Sequence, residues 1–428
     1  MTQSSILAEK IRSGGYDAAF SALYGANDAT IAAQRARYIE TINLFEKSYG
    51  LAREVSLYSA PGRVELCGNH TDHNNGIVMA AAINLDIIAV VSKSDKPVIR
   101  LRSYGFNEED AVELSRLLPV ESEVNRSASI IRGVAAGFRD RSGSIGGFDA
   151  YTTSDVLKGS GLSSSAAFEV AVGTILNGEY NEGRFDAVTL GIIGQTAENK
   201  FFGKPSGLMD QVACSVGGAI TIDLKDPSAP VVKKLPLDLS SHNLCLVVTD
   251  TQGSHSDLTD DYAAIRREME SVAAFYGKKC LREVDYGTLL AQIAEIRIAV
   301  GDRAILRSIH YFEECRRVLN AIDALEKDDT ERFLEIILES GHSSFEFNQN
   351  AYAIKTPDRQ EVSVGLAVSQ TVLNGRGAWR LQGGGFAGTI QAFVPKSLLD
   401  KYRASMRATF GPGACHVLSV REMGGVRL

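Results

Sequence analysis

Apolar residues along this chain recur with two periods, and the switch between them marks the elements. Ala166, Ala167, Val170, Ala171 and Thr174 fall at three- and four-residue intervals, which predicts a helix beginning after Ser163-Ser164-Ser165. Leu190, Ile193, Ala197 and Phe201 form a second such stripe. The apolar runs Ile77 to Val91, Val98 to Leu101 and Ala219 to Leu224 read as strands, so residues from about 50 to 237 predict an α/β unit. Asp226 to Pro236 contains three prolines and reads as a turn or linker into a strand at Leu244 to Thr249. A helix follows with Tyr262, Ile265, Met269, Val272 and Tyr276 on one face. Further helices are expected around 303–326, 330–340, 359–373 and 396–409, with strands around 378–382 and 387–394 and at Cys415 to Val420. This second unit is α+β. Residues 1 to about 36 read as one or two polar helices broken at Gly14-Gly15.

Length and composition narrow the class. A chain of 428 residues exceeds what one core usually supports, so two domains are expected. With 44% hydrophobic and 23% charged residues it is an ordinary globular sequence. The net charge of −7 argues against nonspecific binding to nucleic acid or an anionic membrane and favours small-molecule partners. Six scattered cysteines without a CxxC pair read as buried thiols. The first ten residues carry charge where a secretory leader needs an apolar core, and no apolar run reaches about 18 residues, so a cytoplasmic location is expected. No long-period repeat is present, which excludes solenoids.

The chemistry starts at Lys158-Gly-Ser-Gly-Leu-Ser-Ser-Ser-Ala-Ala167, where glycines and serines lead directly into an apolar helix. Open backbone N–H groups and hydroxyls at a positive helix end make a cradle for phosphate. Leu162 and Ser163 follow Gly161 where a Walker loop would carry Lys and Ser or Thr, so this is a different phosphate loop. The competing reading is a flexible linker, which would not run into an apolar helical stripe.

A second segment, Ala60-Pro-Gly-Arg-Val-Glu-Leu-Cys-Gly-Asn-His-Thr-Asp-His-Asn-Asn-Gly76, resembles the sugar-binding signature of the galactokinases within the GHMP small-molecule kinases, of the form GRxNLIGEHTDYNxG. Phe202 to Gln211, with Met209-Asp210-Gln211, resembles the family segment that carries the catalytic aspartate. Leu381-Gln-Gly-Gly-Gly-Phe-Ala-Gly388 resembles the third, glycine-rich motif. The motifs stand in the family's order, and the resemblance covers about residues 40 to 428. It implies an α+β two-domain fold: a mixed α/β N-terminal domain (37–237), a ferredoxin-like C-terminal domain (238–428), an active site between them, and an N-terminal helical extension (1–36).

The resemblance also implies roles. Asp210 would act as base toward the anomeric hydroxyl of a monosaccharide, and Arg63 would stabilise the transferring phosphate and hold the carboxylate. Gly159, Ser160, Gly161, Leu162, Ser163, Ser164, Ser165 and Ala166 would bind ATP, with Ser165 and Glu198 on Mg²⁺. Gly383-Gly384-Gly385 would let backbone approach the phosphate loop. Asn69, His70, Asp72, Gly207 and Tyr262 would bind the sugar. Each has a plainer alternative: a surface arginine for Arg63, a helix cap for Asp210, an exposed helix charge for Glu198, core packing for Tyr262. His70, Asp72 and His73 could also suggest a metal site.

The sequence departs from the pattern where the sugar is chosen. Asn69 stands for the expected glutamate, Glu65 for the expected asparagine and His73 for the expected tyrosine. A glutamate at 69 would repel a hexuronic acid that an asparagine would tolerate, so galacturonate or another sugar stands beside galactose. A non-catalytic sugar and ATP sensor is a further reading, although Arg63, Asp210 and Ser165-Ala166-Ala167 are all intact. A GHMP kinase acting on mevalonate or homoserine does not fit the His-Thr-Asp signature.

Overall fold

The computed structural model describes residues 2–157, 161–253 and 258–428. Gly159 and Ser160 of the expected ATP loop lie outside the described residues. Two sheets organise the chain. The first has nine strands, with Glu54–Cys67 and the long strand Ile77–Ser94 at its centre. Ile77–Ser94 is long enough to pair with Glu54–Cys67 along one edge and to share its other edge between Gly147–Ser154 and Ala219–Asp223. One parallel pair, Val98–Ser103 with Gly147–Ser154, makes the sheet mixed. The second sheet is antiparallel throughout, in the order Ala378–Leu381, Thr389–Pro395, Leu244–Asp250, Cys415–Leu418.

Three differences from the periodicity reading have physical causes. Val231–Leu235, placed in a linker by its flanking prolines, pairs antiparallel with Ala219–Asp223 and extends the first sheet. Pro230 and Pro236 bracket this edge strand without interrupting it, which is where proline is tolerated. Glu54–Cys67 was not recognised as a strand because Pro61-Gly62 in its middle reads as a turn, whereas the structure carries the strand through them with a register shift. The helices Tyr286–Ala291 and Ile293–Val300 were also missed, being too short for a stripe to emerge.

The N-terminal extension is neither polar throughout nor separate. It forms the helices Ser4–Arg12, Asp17–Tyr24 and Asp28–Tyr49, and the expected limit at residue 36 falls inside the third. Leu7, Ile11, Phe20, Leu23, Tyr38, Ile42 and Phe45 pack on Val55, Leu57, Ile88 and Val90 of the central strands. At its centre the carboxylate of Asp86 accepts from Tyr24 (2.6 Å), Arg37 (2.7 Å) and Arg421 (3.0 Å), and from Ser59. Arg37 and Arg421 outweigh the effect of burial and hold Asp86 below the ordinary carboxylate range.

One apolar core joins the two sheets. Val64, Leu66, Ala166 and Val170 of the first half contact the cluster that includes Leu246, Val248, Phe333, Ile336 and Phe393 of the second. The helix Ser164–Tyr180 therefore starts at the junction of the two halves.

Candidate active site

Arg63 is positioned by the central strand. The register of Glu54–Cys67 against Ile77–Ser94 shifts between Pro61 and Arg63 and again between Glu65 and Cys67, so irregularities flank the arginine on both sides. Gly62 allows the close approach of the loop beyond: a Cβ there would meet the Leu162 carbonyl at 2.7 Å. The Arg63 N–H donates to that same carbonyl (3.1 Å). The guanidinium reaches across 147 residues of sequence to donate from Nε (2.9 Å) and Nη2 (2.7 Å) to Oδ1 of Asp210, while Nη1 donates to the Gly161 carbonyl.

Asp210 sits in the first turn of the helix Met209–Val216, where the positive helix end favours a carboxylate. Its Oδ2 accepts from the hydroxyl of Ser163. That contact decides Ser163's role, because no side-chain cap bond forms at the start of Ser164–Tyr180 and Ser163 takes a left-handed conformation (φ 58°). The expected serine cap is replaced by a strut to the carboxylate. Burial alone would raise the pKa of Asp210, but the charge of Arg63 and the bonds from Ser163 and Arg63 outweigh it, and the group stays below its ordinary range. Arg63 is raised correspondingly: burial opposes its charge, and Asp210 wins.

Two residues later in the same helix start, Ser165 Oγ donates to Glu198 Oε1 (3.1 Å). Glu198 is buried where the helix Ala187–Ala197 passes into a wider π-helical turn. Its Oε2 is held by Gln211 Nε2 (2.9 Å) and by the Ser206 hydroxyl. Gln211 Nε2 also donates to Glu169 Oε2 (2.9 Å), leaving Glu169 Oε1 buried without a hydrogen-bond partner. Burial, then the charge of Glu198, push the Glu169 pKa well above the usual carboxylate value. Ser165 and Glu198 offer two hard oxygens side by side, and the ammonium of Lys204 lies on Glu198 Oε1 at 2.9 Å as a stand-in cation. The pair therefore fits Mg²⁺, which takes few protein ligands when it also binds phosphate. The described residues contain no cluster of three or more His, Cys, Asp or Glu able to hold a metal, so His70, Asp72 and His73 do not form one.

The signature loop after the central strand lies beside this corner. His70 has φ 58° and donates from Nε2 to the Gly384 carbonyl (2.9 Å), which leaves Nδ1 as an acceptor. Burial lowers its pKa to about 4, so the ring is neutral. Asp72 is raised to about 6 by burial and then by the charges of Asp210 and Glu65. Gly207 faces it so closely that a Cβ would lie 1.6 Å from Asp72 Oδ2. The Tyr262 hydroxyl donates to the Gly385 carbonyl (2.8 Å), and its ring meets Phe386 edge-on. Gly383 and Gly161 approach within van der Waals reach, and Gln382 Nε2 donates to the Gly161 carbonyl (3.3 Å).

Asn69 stands apart from the other sugar candidates. It is fully buried, and its Nδ2 donates to Glu65 Oε1 and to the Gly383 carbonyl, both at 2.8 Å, while Oδ1 accepts from Asn350 (2.9 Å). The carboxylate expected at 69 stands instead at 65, paired with Arg380 at 2.9 Å, and both side chains are almost wholly buried. Sequence reasoning missed the residues that seat this loop. Glu314 accepts from the Gly68 N–H (2.9 Å), and His310 donates from Nε2 to the Asn69 carbonyl (2.9 Å). Their signal was two polar residues at i and i+4 on the inner face of the helix Asp302–Glu326.

A nine-stranded mixed sheet joined to a four-stranded antiparallel one, with a glycine-serine loop opening a helix at the junction, is the layout of the GHMP kinases. The model of the GHMP kinase N-terminal domain matches residues 129–218, and the galactokinase galactose-binding signature matches residues 43–93. A galactokinase of Actinobacillus pleuropneumoniae serotype 3 (strain JL03) is 31% identical over 84% of this chain and 90% of its own length. One from Streptomyces coelicolor is 32% identical over 86% and 91%. In fold, Lactococcus lactis galactokinase complexed with galactose superposes with a TM-score of 0.78 at 21% identity, over 92% of this chain and 100% of that one. Methanococcus jannaschii mevalonate kinase gives 0.61 at 13% identity, over 86% and 98%. The chain belongs to the galactokinase family of the GHMP kinases. It is a sugar kinase that uses ATP.

Proposed function

We propose that this protein transfers the γ-phosphate of ATP to the C1 hydroxyl of galactose. The observation that carries the reading is the convergence of Arg63 and Asp210, far apart in sequence, beside the phosphate loop and the signature loop. Phosphoryl transfer needs mainly positioning and compensation of charge on the transferring group. Asp210, kept ionised, orients the sugar hydroxyl and accepts its proton. Its depressed pKa makes it a weak base, which suits a loose transition state in which the nucleophile gives up its proton late. Arg63 holds Asp210 and lends positive charge to the transferring phosphate.

The segment Gly161 to Ala166, with Gly159 and Ser160, cradles the phosphates. Ser165 and Glu198 would hold Mg²⁺, which when bound would offset the negative charge of the phosphates. His70 offers Nδ1, Asp72 its carboxylate, Gly207 its backbone and Tyr262 its hydroxyl to sugar hydroxyls. We assign Asn69 to shaping the loop, since its side chain is spent on Glu65, Gly383 and Asn350. The enzyme acts in the cytoplasm, where ATP is supplied and its six free cysteines stay reduced. Among the described residues no helix is long and apolar enough to cross a membrane.

A coupled ADP-release assay across a sugar panel tests this. Galactose should give the highest kcat/KM. Galacturonate as the preferred substrate would move the assignment to sugar acids, and binding without ADP release would make the protein a sensor.

A further inference from the structure

The two oxygens of Glu198 are treated differently. Oε2 is fixed by neutral donors, Gln211 and Ser206, whose own positions are set by other bonds. Oε1, the oxygen facing the start of the phosphate-loop helix, is shared by Ser165 and Lys204. Lys204 lies between Gly203 and Pro205, so its backbone is set by a left-handed glycine (φ 91°) and a proline ring, while its side chain remains 57% exposed. A compact charge on a flexible stem can change partners at little cost. Arg63 lacks that freedom, since Nε and Nη2 hold Asp210 and Nη1 holds the Gly161 carbonyl.

Two cations cannot share Oε1 at contact distance without strong repulsion. A divalent ion seated on Ser165 and Glu198 therefore displaces the Lys204 ammonium, and the same event brings the nucleotide's negative phosphates beside it. We propose that Lys204 is a phosphate-contacting residue, which neutralises Glu198 in the empty site and passes to the terminal phosphate of ATP when the metal takes Glu198. The inference rests on the assignment of Mg²⁺ to Ser165 and Glu198. Its charge already reaches the catalytic corner, because Lys204 is among the groups that lower the pKa of Asp210.

The test is calorimetric titration of the full-length protein with ATP and with ADP, with and without Mg²⁺, for the wild type, Lys204→Met and Lys204→Arg. Loss of a charged hydrogen bond to the terminal phosphate should weaken Mg·ATP binding by about tenfold to a hundredfold and Mg·ADP binding by less than about threefold. Lys204→Arg should recover most of the ATP affinity. An unchanged ratio of ATP to ADP affinity in Lys204→Met would overturn the proposal and leave Lys204 as a counter-ion of Glu198 alone. A wild type that binds ATP equally with and without Mg²⁺ would remove the metal from Glu198, and this role of Lys204 with it, while leaving the sugar kinase reading intact.

Discussion

The Arg63–Asp210 corner and the signature loop, proposed to serve phosphate and sugar, are both partly buried, yet they treat charge in different ways. The ion pair itself is held ionised, with Asp210 below its ordinary range and Arg63 above its own, while Glu169 behind it is pushed toward neutrality. In the signature loop the titratable groups are pushed toward neutrality: His70 to about 4, His73 well below its usual value, Asp72 up to about 6. Burial is the first cause in all of them. What differs is the partner, since Asp210 receives a guanidinium and two kinds of hydrogen bond whereas Asp72 faces two other carboxylates. The contrast suits the chemistry, because a transferring phosphate calls for fixed charge and a sugar calls for hydrogen bonds with little desolvation of ions.

Removing the charge at the Arg63–Asp210 corner should have the largest effect. Asp210→Asn is expected to lower kcat by about a thousandfold or more with the fold retained, measured by ADP release and circular dichroism. A rate within tenfold of the wild type would move the catalytic carboxylate elsewhere. Next comes the pair beneath the sugar loop. Arg380→Met strands Glu65 as an uncompensated buried charge and should cost about 3–5 kcal/mol in denaturant unfolding. Replacing both, with Glu65→Leu added, should recover most of that loss.

Asp72 gives a pH-resolved test of the neutral corner. Folded protein holds the Asp72 proton more tightly than the unfolded chain does, so this group favours the fold at low pH and loses that contribution as pH rises through about 6. Asp72→Asn should therefore raise Tm at pH 7.5, with the gain fading as pH falls toward about 4, while galactose affinity drops by roughly tenfold. A Tm gain independent of pH would mean that Asp72 is not strained by its neighbours. The smallest effect is expected at Asp86, a buried carboxylate kept ionised outside both corners. Tyr24→Phe removes one of its several donors and should cost about 1 kcal/mol, with catalysis unchanged.

The longer helices of the second half, such as Thr259–Phe275 and Asp302–Glu326, were legible in the chain because each keeps an exposed face opposite its buried one, and a stripe records that. The buried strand Glu54–Cys67 was not, since Pro61-Gly62 reads as a turn in its middle and only the sheet pairing shows the chain running on through it. The three N-terminal helices were legible as helices but not as a layer: their apolar residues acquire meaning only against Val55, Leu57, Ile88 and Val90.

What the sequence determined by itself was local and ordered: the loop that opens a helix, the signature with its histidines and aspartate, and the succession of motifs that marks the family. Spacing along the backbone controls such features, and spacing is what a sequence contains. Only the tertiary structure decided which charges meet. It turned Ser163 from a helix cap into a support for Asp210, closed Asn69 into the protein with its partner carboxylate moved to Glu65, and set Lys204 on Glu198. Those outcomes depend on electrostatic and hydrogen-bond partners drawn from distant segments, and the free energy of a buried charge follows the partner beside it, which no neighbour along the chain specifies.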